Sequence, residues 1–437
     1  MTNQRKLIYI LIASTLLMVL MAPASALAQP QSTLDPNTQF YVAKPIDGAR
    51  QQVAALTSSG NQADANLIRE MIETPQSVWF NGGTPQKVQQ DVKNTVQRAA
   101  GKGQVPVLVA YNIPFRDCSQ FSAGGATSVA EYEAWIDSFA AGIGSGKAVV
   151  ILEPDGLGII PWYQPFGTKP LEWCQPAEAD AATAATDRFA MLNYAVDALK
   201  AHPNTSVYLD GTHSAWLAVG DAADRLVLAG VSRADGFFLN VSNYQYSTNL
   251  VYYGTWISKC IAMINPANRP SFDTDCPNQY WNGGPHPARI ADLLGEWTGV
   301  ALSNYGVWSD TTDTPNLNTS GINLRYSSVT GITRFVIDTS RNGQGPWQPP
   351  SYPDPQDWCN PPERGLGLQP TANTNVLLLD AYLWVKIPGA SDGECTRGLG
   401  PAGETIDPEW GLIDPAAGAW FPEMALDLVH NANPPLP

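Results

Sequence analysis

The strongest constraint on the fold is a recurrence. Short apolar runs rich in Val, Ile, Leu, Phe and Tyr return at residues 77–80, 105–111, 148–152, 206–209, 236–239, 334–337 and 376–386. Most are continuous rather than alternating. A strand wetted on one face alternates and a strand covered on both faces does not, so these runs predict a parallel sheet buried on both sides. Helical patterns lie between them. Thr84-Pro85 opens one as N-cap and first turn, and Gly101 closes it. Ser128-Val-Ala-Glu131 is a capping box ahead of Trp135, Ile136 and Phe139. An Ala-rich stretch, residues 177–200, sets Phe189, Leu192, Val196 and Leu199 on one helical face. This alternation predicts a distorted (β/α) barrel of about seven parallel strands, a single α/β domain with long active-site loops. One interval, residues 241–334, breaks the rhythm with Asn, Pro, Gly, Trp and Tyr. It reads as an insertion, about residues 244–333, that holds Cys260 and Cys276 and walls a cleft.

The first residues stand outside this pattern. Arg5 and Lys6 precede an apolar run, and Ala26-Leu27-Ala28 fits a cleavage site. Residues 1–28 are therefore expected to be a signal peptide and residues 29–437 the mature, secreted, extracellular domain, with no membrane attachment after cleavage. No Pro/Thr/Ser-rich linker divides that domain. Export makes the six cysteines, Cys118, Cys174, Cys260, Cys276, Cys359 and Cys395, read as disulfides. Six cysteines allow fifteen pairings, and spacing alone does not choose among them. The formal charge is −15, from 25 Lys+Arg against 40 Asp+Glu, which argues against nucleic acid or an anionic membrane as partner.

The chemistry gathers where the runs end. They lead into Asp117, Asp155, Asp210 with His213, Asn240, Asp338 with Arg341, and Lys386 with Asp392. In α/β barrels the active site lies at these C-terminal strand ends. One such Asp could simply cap a helix, but several on successive strands converge on one face. The chain holds no HExxH or P-loop pattern, and its four His are scattered, so no metal or organic cofactor is expected. Glycosidic cleavage needs one carboxyl kept protonated and another ionised, which several Asp can supply. Trp79, Trp216 and Trp358 offer flat faces for sugar rings.

Taken in order, the motifs resemble glycoside hydrolase family six, the inverting β-1,4-glucanases. They are Tyr111-Asn-Ile-Pro-Phe-Arg-Asp117-Cys118, Leu152-Glu-Pro-Asp155, Tyr208-Leu-Asp210-Gly-Thr-His213-Ser-Ala-Trp216, Asn240-Val-Ser-Asn-Tyr244, Ile337-Asp-Thr-Ser-Arg-Asn-Gly343 and Trp384-Val-Lys386 through Asp392-Gly393. The resemblance implies Asp155 as general acid, and Asp117 as the neighbour that keeps it protonated and helps position a water chain. It implies Asp392 as second carboxylate and candidate base, Asp210 as support for the site's charge balance, and Tyr111 as the group that crowds the sugar. Lys386, His213, Asn240 and Trp358 are implied as sugar contacts, Trp79 and Trp216 as platforms, and Ser122 as holder of the attacking water. It also implies the pairings Cys118–Cys174 and Cys359–Cys395, leaving Cys260–Cys276. The implied partner is a polysaccharide, cellulose, cello-oligosaccharide or β-glucan, bound by a monomer.

The sequence departs from that pattern once. Where the family carries Glu immediately after the glycine of its last motif, this chain has Ala390. The first loop, residues 118–131, is short, as in open-cleft endoglucanases; the second, residues 393–419, is long, as in cellobiohydrolases. The expectation is an endo-acting cellulase with a partly covered cleft. Its alternatives are a cellobiohydrolase, an enzyme for mixed-linkage glucan or xyloglucan, and a non-catalytic carbohydrate-binding protein.

Overall fold

The computed structural model describes residues 34–280, 302–309, 319–349, 356–398 and 406–437. The proposed signal peptide and part of the proposed insertion lie outside them. Seven parallel strands line up in chain order: β1 (Val78–Phe80), β2 (Val107–Ala110), β3 (Ala148–Leu152), β4 (Thr205–Asp210), β5 (Gly236–Leu239), β6 (Arg334–Asp338) and β7 (Leu379–Leu383). The sheet curls, and its two edges meet without a ladder. The Ser77 N–H donates to the Trp384 carbonyl (3.0 Å), and the Trp79 indole N–H donates to the Val385 carbonyl (2.9 Å). Trp79, expected only as a sugar platform, therefore also helps to close the barrel.

The two apolar faces of the strands fill two cores. Leu108, Val150, Val207, Leu209, Phe237 and Phe335 pack outwards against helices. Val109, Val149, Ile151, Tyr208, Phe238 and Val336 fill the barrel interior. That is why the runs do not alternate. The outer layer includes α1 (Ala49–Ser58), α2 (Gln62–Glu73), α3 (Pro85–Ala100), α4 (Val129–Ile143), α5 (Ala184–Lys200), α6 (Val219–Leu228) and α7 (Ser247–Met263). The Thr84 hydroxyl caps α3 through the Lys87 N–H, and Ser128 caps α4 through the Glu131 N–H. α5 begins at Ala184, seven residues after the Ala-rich stretch itself begins, because turns built around Asp180 precede it.

The irregular interval needs correction. α7 is a regular crossover helix between β5 and β6, with Tyr253, Trp256 and Ile257 fully buried. Its Asn, Tyr and Trp hide the helical period. Among the described residues, the irregular parts are the turn before it, residues 241–246, and the segment beyond it, which holds α8 (Pro270–Asp275), residues 302–309 and α9 (Thr319–Arg325). Cys260 of α7 is bonded to Cys276 just past α8; the other disulfides are Cys118–Cys174 and Cys359–Cys395. The chain finishes with the short hairpin β8 (Ile406–Asp407) and β9 (Leu412–Ile413), then α10 (Pro422–His430), which packs on α2.

Candidate active site

A cleft with a cavity volume of about 830 Å³ opens at the C-terminal ends of the strands. Its walls hold Trp79, Tyr111, Asp117, Ser122, Asp155, His213, Trp216, Trp358, Lys386 and Asp392, so ten of the expected site residues come together. Asp210 and Asn240 do not line it. Both are buried beneath it.

Strained backbone marks the strand ends. Asp117, Glu153, Asp155, Thr212, Asn240 and Ser242 all have φ between 51° and 70°. Non-glycine residues adopt this left-handed region uncommonly, Asn and Asp more readily than Glu, Thr or Ser, and such outliers cluster at functional sites. The surroundings here are buried carboxylates that pin neighbouring strands. Glu153 accepts the Asn112 and Ile113 N–H groups (2.8 and 3.0 Å), tying β3 to the turn after β2, next to Tyr111. Asp210 accepts the Leu157 and Gly158 N–H groups (3.1 Å each) and the Thr212 N–H (2.9 Å), fixing the turn that carries Asp155. Asp338 accepts N–H groups of Ser340, Val385 and Lys386 and so joins β6 to β7. Asn240 accepts the Gln245 N–H and donates to the Asp338 carbonyl, a scaffold role rather than the expected sugar contact.

The carboxyls in the cleft are held in opposite states. Burial raises Asp155 well above the usual carboxylate range, and the charges of Asp210 and Asp117 add to the effect. Burial also lifts Asp117 from 3.8 to about 6, although the Ser122 N–H (2.6 Å) and Arg116 oppose it. Asp392 behaves differently. Burial alone would raise it, but Arg341 and Lys386 outweigh burial and hold it well below the usual range. The Arg341 guanidinium lies 2.9 Å and the Lys386 ammonium 2.8 Å from its oxygens, and the Tyr244 hydroxyl and Asn360 N–H also donate to it. His213 is pushed down to about 3 by burial and stays neutral, its Nδ1 accepting the Ala215 N–H.

Rings complete the walls. Trp79 meets Tyr111 edge-on at 5.5 Å, and the Arg116 guanidinium lies 4.7 Å from the centre of the Tyr111 ring. Phe121, from the first loop, reaches across to Trp358 (6.2 Å between ring centres). It also covers Gly393: a Cβ there would fall 2.4 Å from the Phe121 ring, so only glycine permits this contact. The two loops therefore touch beside the cleft despite the shortness of the first. Residues 399–405 of the second loop lie outside the described residues.

Several working residues were not singled out as site residues in the sequence. Tyr244 and Arg341 stand inside the quoted motifs, and Arg341 follows Asp338 by three residues, but nothing in one chain says that they pair with Asp392. Glu153 and Asp338 are strand-end carboxylates like the others. Their signal was present, but only the fold separates a pin under the cleft from an acid inside it. Phe121, which lines the cleft, stands in no motif.

The model of the Glycosyl hydrolases family 6 matches residues 35–432. Endoglucanase A of Cellulomonas fimi is 31% identical over 399 residues, covering 91% of this chain and 62% of that protein. Endoglucanase A of Thermobispora bispora is 30% identical over 415 residues, covering 94% and 66%. The chain thus spans 62% and 66% of the length of these two curated relatives. The solved endoglucanase Cel6 of Mycobacterium tuberculosis, in complex with methyl-cellobiosyl-4-deoxy-4-thio-beta-D-cellobioside, is 31% identical, with a TM-score of 0.59 over 90% of this chain and 97% of that one. With a family match that runs across nearly the whole described chain, this protein belongs to the glycosyl hydrolases of family 6.

Proposed function

We propose that the protein is a secreted cellulase that hydrolyses internal β-1,4-glucosidic bonds with inversion. The observation that carries this reading is the pair of opposed carboxyls in one aromatic-walled cleft: Asp155, kept protonated, and Asp392, kept ionised. Asp155 gives its proton to the glycosidic oxygen as that bond breaks. Water attacks the anomeric carbon from the other face. Asp392 is a weak base, because two cations and two further donors already occupy it. Its fixed negative charge suits stabilisation of the oxocarbenium-like transition state. The water's proton passes instead along a water chain to ionised Asp117, whose value of about 6 makes it the better acceptor. Tyr111 crowds the sugar, and Trp79, Trp216 and Trp358 stack its neighbours.

Internal attack is favoured over attack at chain ends because the first loop is short and the named relatives of about 30% identity are endoglucanases. The test uses carboxymethylcellulose, mixed-linkage glucan and xyloglucan. Rapid viscosity loss per new reducing end supports endo action on the preferred polymer. Cellobiose release without viscosity loss supports a cellobiohydrolase. NMR of the first product should show the α-anomer; β-product refutes inversion. Asp155→Asn should cost about 10²–10⁴-fold in kcat while cello-oligosaccharides still bind. Undiminished turnover in this variant would remove Asp155 as the acid.

A further inference from the structure

Among the described residues, Trp173 is the most exposed aromatic side chain of the cleft wall, at 58%. Its neighbours are not loose. Cys174 is buried and bonded to Cys118, which follows Asp117. The Cys174 carbonyl accepts the Trp162 N–H (2.9 Å), and the Glu172 N–H donates to the Tyr163 carbonyl (2.9 Å). The Glu172 carboxylate is ion-paired with buried Arg225. A large apolar ring is thus held out on a rigid ledge at the edge of a sugar-sized cleft. Water gains nothing from that arrangement, whereas the apolar face of a pyranose would cover it.

The same Arg225 shows where the ledge lies. Its guanidinium also donates to the carbonyls of Leu157 (2.8 Å) and Gly158 (3.4 Å). The ring of Trp216 rests on Gly158, where a Cβ would come within 2.5 Å of it. Arg225 therefore clamps together the backbone under one platform, Trp216, and the residue beside a second ring, Trp173. Ile159 and Asp155, also on the cleft wall, belong to the turn that runs through Gly158.

We propose that Trp173 is a further stacking platform, which takes a β-1,4-linked glucan chain onward from Trp216 and lengthens the cleft on that side. The proposal rests on the glucanase reading above, and its test separates the two. Hydrolysis of cellotetraose, cellohexaose and swollen cellulose is compared between the natural protein, Trp173→Ala and Trp173→Tyr. Trp173→Ala should raise KM about five- to tenfold for cellohexaose and the polymer, leaving kcat, the cellotetraose KM and Tm unchanged. Trp173→Tyr should restore most of the affinity. Unaltered KM values, an equal rise at every chain length, or a fall in Tm that accounts for the loss would each overturn the platform. Titration of cellohexaose into the natural protein and the Ala variant by calorimetry measures the same affinity without turnover. An inert natural protein that still loses cellohexaose affinity on Trp173→Ala would defeat the catalytic reading and leave the platform standing.

Discussion

At the scale of single residues, the site works by holding like groups in unlike states. Asp155 and Asp392 are both buried Asp side chains. One has acidic neighbours and the other has Arg341 and Lys386. Removing a neighbour should therefore move a titration rather than simply abolish activity. Asp210 does not line the cleft, and after burial its charge is the largest factor raising Asp155. In Asp210→Asn that charge is gone, so Asp155 loses its proton at lower pH. The alkaline limb of kcat against pH should shift to lower pH, and an unmoved limb would detach Asp210 from the acid. Asp392→Asn should act on stability as well. It leaves two buried cations without their carboxylate, at a cost of about 3–5 kcal/mol, visible as a lowered denaturant midpoint. Ala390 lines the cleft four residues after Lys386. Ala390→Glu would restore a sugar-binding carboxylate and lower KM for cello-oligosaccharides, whereas unchanged KM values would show that the position makes no sugar contact.

At the scale of elements, the loops carry what the strands do not. Phe121 bridges the first loop to Trp358 and Gly393, and Phe121→Ala removes the bridge while leaving Asp117 and its Ser122 hydrogen bond in place. The variant should speed viscosity loss in carboxymethylcellulose by about two- to fivefold, with cellotetraose turnover little changed, since a small lid contact weighs on entry more than on chemistry. Equal effects on both substrates would argue against a lid. None of this was legible in the residues of the first loop, because a contact between residues 121 and 393 exists only after the barrel has formed. The strands were legible for the opposite reason. Burial on both faces writes itself into composition locally, and their polar ends follow from where the runs stop. α7 shows the limit: a helix buried on several sides, with Tyr and Trp among its residues, lacks the clean stripe by which helices are recognised. The six left-handed residues at the strand ends left no composition signal either, since contacts made only in the fold surround them, such as the Thr212 N–H on Asp210 and the Ser242 N–H on Asp338.

At the scale of the whole molecule, those same buried carboxyls set how stability responds to pH. Glu153 is raised by burial from 4.5 to about 7, and Asp210 by burial from 3.8 to about 6. Between each pair of values the folded chain holds a proton that the unfolded chain has released. Stability therefore falls as pH rises through that window, from about 4 to about 7. Asp392 has the opposite sign: its contribution is present above the unfolded carboxylate value and is lost only in stronger acid, as pH falls towards its depressed folded value. The net charge of −15 at neutral pH works in the same direction as Glu153 and Asp210, because protonating surface carboxylates relieves self-repulsion. Calorimetry should thus find a higher Tm at about pH 5 than at about pH 8. Glu153→Gln, which imitates the protonated side chain, should flatten the decline while keeping acceptance of the Asn112 and Ile113 N–H groups possible. A Tm that rises with pH over this range would mean that ion pairs such as Asp392 with Arg341, and not the buried acids, govern the molecule's response to pH.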